Sequence, residues 1–149
     1  MKVILVHPQI PQNTGNIVRT CKATHSDLLL VSPLGFRTTD RHLKRAGLDY
    51  WDGVAVNIIE DLDTLLRHSQ EPFYFFSSHA TVLYTEATYS SSTLLIFGSE
   101  TNGLPSIFHT TWPDRFRTLP MAKNCRCLNL ANAVSIVLYE AWRQQGFPE

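Results

Sequence analysis

Short unbroken apolar runs, each bounded by turn residues, constrain this chain most. Val3-Ile4-Leu5-Val6, Leu28-Leu29-Leu30-Val31, Phe73-Tyr74-Phe75-Phe76 and Leu94-Leu95-Ile96-Phe97 read as buried strands. Helical stretches lie between them. One is expected from a cap at Asn13 or Thr14 to about Ser26, one over 40–47, one over 60–68 and a brief one over 105–109. Further strands are expected over 54–58 and 116–119, and Pro33-Leu34-Gly35 ends the strand over 27–32. A last helix spans about 129–145 and stops near Gly146 and Pro148. Strands alternating with helices predict an α/β fold, with a mainly parallel sheet flanked by helices. No repeat, low-complexity tract or linker divides the chain, so residues 1–149 read as one domain without a separate RNA-binding domain.

The last helix is apolar on more than one side. Leu130, Val134, Val137 and Ala141 share a face, while Ile136, Leu138 and Trp142 occupy others. Such a helix needs burial on more than one side. Either it is the core helix of a monomer or it also serves a subunit interface, as in a symmetric homodimer.

Charge limits the partners. Lys plus Arg and Asp plus Glu are both 13, so any RNA contact comes from a local patch. Arg37, Arg41, Lys44 and Arg45, with His42 among them, form one such patch, and Tyr50 and Trp51 follow it. A solvated helix face reads equally well there. The first apolar run is too short for a secretory signal, and none approaches the ~20 residues of a membrane span, which predicts a cytoplasmic protein. Cys21, Cys125 and Cys127 lack the spacing of a structural metal site. The histidines are dispersed, so no metal is expected. Ser77-Ser78 lacks a nucleophile-elbow pattern, and Asp61 and Asp63 do not share a helix face.

Two distant segments read as one divided nucleotide pocket. Phe97-Gly98-Ser99-Glu100-Thr101-Asn102-Gly103-Leu104-Pro105 and Leu119-Pro120-Met121 onward to Val134 each join an apolar run to a turn rich in Gly, Pro and Asn. Backbone groups freed at such turns can hold a polar ligand. Glu100 can accept from ribose hydroxyls or an amine, pair with Arg19, or face solvent. Asn13-Thr14-Gly15-Asn16-Ile17-Val18-Arg19 follows the first strand. Its arginine can clamp a phosphate or steady a developing oxyanion, or be a solvated residue on a capped helix. The absence of Gly-x-Gly-x-x-Gly after the first strand counts against a dinucleotide-dependent oxidoreductase.

Asn13-Thr14-Gly15-Asn16-Ile17-x-Arg19, Gly98-x-Glu100-Thr101-x-Gly103-Leu104-Pro105 and Asn129-Leu130-x-Asn132-Ala133-Val134-Ser135 occur in this order. Together they resemble the three motifs of the knotted SPOUT methyltransferases. Arg45-Ala46-Gly47-Leu48-Asp49-Tyr50 and Tyr139-Glu140-Ala141-Trp142-Arg143-Gln144 narrow the resemblance to the minimal TrmL/YibK group, and it covers nearly the whole chain. The resemblance implies a deep C-terminal trefoil knot, a homodimer packed through knot helices, and S-adenosylmethionine as methyl donor. It implies transfer to the ribose 2′-hydroxyl of the wobble nucleotide, cytidine or modified uridine, of tRNA(Leu).

By the same resemblance Phe76, Ser77, Gly98, Glu100, Gly103, Leu119, Met121, Cys127 and Leu128 hold the cofactor. Arg19 and Asn129 are the catalytic candidates, and Arg41, Lys44 and Arg45 engage tRNA. Arginine is effectively always protonated, so Arg19 is expected to orient the ribose or a phosphate and stabilise oxygen charge. Asn129 is expected to cap the last helix and to reach the ribose. Ser99 stands where the family has proline, which is expected to loosen that loop. Asn102 replaces a frequent arginine, Cys127 a frequent serine and His79 a frequent lysine. Ser99 and Cys127 keep a second reading open, a nucleotide- or RNA-binding knotted module without turnover.

Overall fold

The computed structural model describes residues 1–37 and 53–148. Its strands are β1 (Lys2–Val6), β2 (Asp27–Val31), β3 (Val56–Ile59), β4 (Phe73–Phe76), β5 (Leu94–Phe97) and β6 (Phe116–Arg117). They form one six-stranded sheet in the order β3-β2-β1-β5-β4-β6, and every neighbouring pair is parallel. The α-helices among the described residues are α1 (Pro11–Ala23), α2 (Leu62–His68), α3 (Ser106–Thr111) and α4 (Leu130–Gln144).

The unbroken apolar runs follow from this layering. Successive strand residues point to opposite faces of a sheet. Val3 and Leu5 of β1 join Ile17, Val18 and Cys21 of α1 and Val134, Val137 and Leu138 of α4 in one core. Ile4 and Val6 join Leu62 and Leu66 of α2, Phe108 of α3 and Phe116 in the other. Both faces are covered, so none of the positions Val3 to Val6 is left for a polar residue. Burial pushes the Cys21 thiol up to about 12, which keeps it protonated and inert.

Four details differ from the sequence reading. Helix α1 begins at Pro11, so Asn13 and Thr14 lie inside it, and Ile10 holds the cap position without a side-chain cap. The helix ends at Ala23, short of Ser26. Strand β6 is two residues long rather than four. In α4, Leu138 shares the fully buried face with Val134, Val137 and Ala141, whereas Ile136 and Tyr139 stay 40% and 46% exposed. The expected helix over 40–47 lies outside the described residues.

The sheet order reverses between β1 and β5, with β2 and β3 on one side and β4 and β6 on the other. Such switch points open a crevice beyond the carboxyl ends of the strands. Close by, the chain after β6 is enclosed. Ser77 N–H donates to the Arg117 carbonyl at 3.0 Å, Thr118 N–H donates to the Val82 carbonyl at 2.8 Å, and Tyr84 N–H donates to the Thr118 carbonyl at 2.9 Å. Residues 117–118 therefore lie between the end of β4 and the arc that leaves it. Among the described residues no helix is long and apolar enough to cross a membrane.

Candidate active site

Beyond the carboxyl ends of β4 and β5 lies a cavity of about 470 Å³. Phe76 and Ser77 reach it from the end of β4. Gly98, Glu100 and Gly103 form a second wall, and Leu119, Met121, Cys127, Leu128 and Asn129 a third. The 98–103 and 119–128 bends thus border one space, although fifteen residues separate them.

The 98–103 bend is closed on itself. Ser99 N–H donates to the Gly103 carbonyl at 3.1 Å, and Gly103 N–H returns a bond to the Ser99 carbonyl at 3.0 Å. The Ser99 hydroxyl accepts from Asn102 N–H at 3.1 Å. Ser99 therefore tightens the loop rather than loosening it, through an N–H that proline lacks. Two glycines make the closure possible. Gly103 has φ +65, a left-handed conformation that favours glycine. A Cβ on Gly98 would fall on the Gly103–Leu104 peptide.

Glu100 is committed to the protein itself. Its carboxylate accepts from Gln9 N–H at 2.8 Å, Ile10 N–H at 3.1 Å and Asn13 Nδ2 at 3.1 Å. It supplies at the start of α1 the anionic acceptor that Ile10 lacks, where the helix dipole favours negative charge. The partners seen for Glu100 are thus groups at the start of α1, while the residue also borders the cavity. Replacing Glu100 by Gln would set an amide donor against these donors. A loss of about 1.5–3 kcal/mol follows for charge-assisted bonds, and the thermal midpoint should fall by roughly 3–10 °C. An unchanged melting curve would show that the clasp contributes nothing.

Asn129 is the cap of α4. Its Oδ1 accepts from Ala131 N–H at 2.9 Å and Asn132 N–H at 3.4 Å, and its Nδ2 donates to Asn13 Oδ1 at 3.0 Å. Asn13 is 6% exposed and links Glu100 to Asn129, so all three sequence motifs meet at one side chain. The sequence reading missed this role, because it placed Asn13 at a helix cap. Asn129→Asp keeps the cap oxygen but loses the donor to Asn13. Its thermal midpoint should stay within about 2 °C of the parent while the methyl transfer expected from the resemblance falls about tenfold. Equal turnover by both proteins would reduce Asn129 to a cap.

Arg19 is exposed and does not border the cavity. It lies six positions after Asn13, about 9 Å along α1 and on a different side. Arg41, Lys44 and Arg45 lie outside the described residues. His79 and His109 also border the cavity, though only their fold positions, not their spacing, bring them there.

The pattern of the SpoU rRNA Methylase family matches residues 1–139. The chain belongs to the SpoU rRNA Methylase family. The tRNA (cytidine(34)-2′-O)-methyltransferase of Escherichia coli (strain K12) is 39% identical over 150 residues, covering 99% of this chain and 96% of that one. A solved structure described as giving insights into the 2-OH methylation of C/U34 on tRNA superposes with TM-score 0.91 and 36% identity, covering 99% of this chain and 97% of the other. An AdoMet-bound rRNA methyltransferase from Sinorhizobium meliloti superposes with TM-score 0.85 and 25% identity over 95% of this chain and 55% of its own. The all-parallel sheet and the enclosed segment after β6 are consistent with the α/β-knot architecture of this SpoU chain.

Proposed function

We propose that this chain transfers a methyl group from S-adenosylmethionine to the ribose 2′-hydroxyl of a tRNA wobble nucleotide, the cytidine or modified uridine of tRNA(Leu). One observation carries the reading: three separated motifs close a single cavity of about 470 Å³, with Gly98 and Gly103 in its wall. The volume and the mixed apolar and backbone lining fit an adenosine-sized ligand. Relatives that resemble the chain over nearly its full length carry the same chemistry in their names.

S-adenosylmethionine, when bound, supplies a methyl group already activated on a sulfonium. The chain's residues have to align the acceptor and exclude water. Phe76, Leu119, Met121 and Leu128 supply the apolar walls, and the 98–103 backbone the close approach. Asn129, tied to Asn13, fixes the start of α4 beside the cavity. Arg19 orients the acceptor ribose or its phosphate and stabilises charge developing on oxygen.

Arg19 of a second copy completes the site, since the side chain does not border the cavity of its own chain. Helices α1 and α4 pack side by side, with Thr20 Oγ1 and Ser135 Oγ 3.0 Å apart. Exposed Ile136 and Tyr139 on α4 suit a homodimer built through these helices. A cytoplasmic setting follows from the substrate. Incubation with radiolabelled methyl donor and bulk tRNA tests the proposal, followed by mapping of the labelled nucleotide. Label on the wobble ribose is the expected result; RNA binding without incorporation would identify a module without turnover.

A further inference from the structure

A second cavity of about 390 Å³ lies beside the first, and His79 and His109 border both. Its remaining wall includes Thr81, Val82, Asp114 and Arg117. The groups are few but chemically mixed. Arg117 is held in place, with Nη1 donating to the Asp114 and Phe116 carbonyls at 2.9 and 2.8 Å and its guanidinium 4.8 Å from the Tyr74 ring centre. His109 stacks on Phe116, with ring centres 4.0 Å apart and planes 21° apart, which fixes the imidazole plane at the junction of the two cavities.

We infer that this second cavity holds a nucleotide of the RNA substrate adjacent to the one that is methylated. The inference rests on the proposed function, because the occupant is defined by its place beside the cofactor cavity. Each wall group matches one part of a nucleotide. A guanidinium pairs with phosphate or a base carbonyl. A carboxylate such as Asp114 accepts from an exocyclic amine or a ribose hydroxyl. A histidine ring offers a flat surface for an unstacked base, the usual means of reading single-stranded RNA. An apolar metabolite would leave these polar groups unmatched, and a bare anion would engage Arg117 but leave Asp114 and the imidazole faces without a partner. The chain's formal charge is zero, so RNA contact has to come from local groups, and among the described residues Arg117 is the one Lys or Arg lining this cavity.

Thr81 lines the second cavity and not the first, which makes it the position to alter. Thr81→Trp fills the space with an exposed side chain. The KM for tRNA should rise at least tenfold, with kcat and the affinity for S-adenosylhomocysteine within twofold of the parent. A KM within twofold of the parent would overturn the inference. A second measurement needs no variant in the sample. The parent protein is saturated with S-adenosylhomocysteine and titrated with uridine 5′-monophosphate, following the imidazole proton resonances of His79 and His109. Both should shift, and more than with inorganic phosphate at equal concentration. Unmoved resonances, or shifts no larger than phosphate alone produces, would overturn the site. Methyl transfer to tRNA by the parent is scored separately: its failure removes the proposed function, whereas the resonances report on the second cavity regardless.

Discussion

Gly98→Ala should raise the dissociation constant for S-adenosylmethionine by ~100-fold or more, which corresponds to about 2.8 kcal/mol. The added Cβ meets main chain of Gly103 and Leu104 rather than the movable end of a side chain. That main chain is pinned by the reciprocal Ser99–Gly103 bonds, and Gly98 itself follows directly from β5, so neither has much freedom to retreat. The bend must open, and with it one wall of the cavity. Overpacking of this kind costs typically 1–3 kcal/mol of stability, so the thermal midpoint should also drop by about 2–12 °C. Gly103→Ala is the informative contrast. Nothing lies within 4 Å of a Cβ there, so only the left-handed φ is penalised, about 1–2 kcal/mol. Calorimetric titration of the cofactor against both variants would rank them. Equal affinities would mean that the close approach at Gly98 is not what shapes the pocket.

Arg19→Ala should lower methyl transfer by a factor of roughly 100 to 1,000, the range seen when a charge-stabilising donor is removed. Cofactor affinity should stay within about twofold, because the side chain does not border the cavity of its own chain and, supplied by a second copy, serves the acceptor ribose rather than the donor. The geometry makes a sharper demand. If a second copy supplies Arg19, a mixture of Arg19→Ala and Gly98→Ala chains should regain activity. Heterodimers then carry one cavity that is intact and is served by an intact arginine. About half of randomly formed dimers are mixed, each with one working site, so activity should recover to about a quarter of the parent's. No recovery after subunit exchange, with heterodimers verified by mass spectrometry, would place Arg19 in the service of its own chain.

Strands β1, β2, β4 and β5 were legible because burial on both faces leaves a simple signature, four apolar residues in a row. Helix α2 was legible for the same kind of local reason, since Asp61 caps it by accepting from Thr64 N–H at 2.9 Å. The start of α1 was not. Its acceptor is Glu100, about ninety positions away, so no local pattern could have replaced the expected cap at Asn13 or Thr14. In α4 the face assignment failed at Leu138, because α1 and the sheet together embrace a wider arc of the helix than a single apolar stripe suggests. For the candidate site, all nine cofactor candidates border the cavity, as does Asn129. The residues carried those positions only through the order of three motifs. The role of Asn13 as their junction, and the convergence of His79 and His109, depend on where distant turns meet in space.

One carboxylate joins the loop that walls the cavity to the start of the helix that bears Arg19. Any tightening of that loop around a ligand is felt at once by α1, and any shift of α1 is felt by the loop. In a paired assembly α1 would also face the neighbouring molecule, so the two pockets would not fill independently. Linkage would make such an effect reciprocal: if filling the pocket favoured the pairing, whatever steadied the pairing would improve retention of the donor to the same degree.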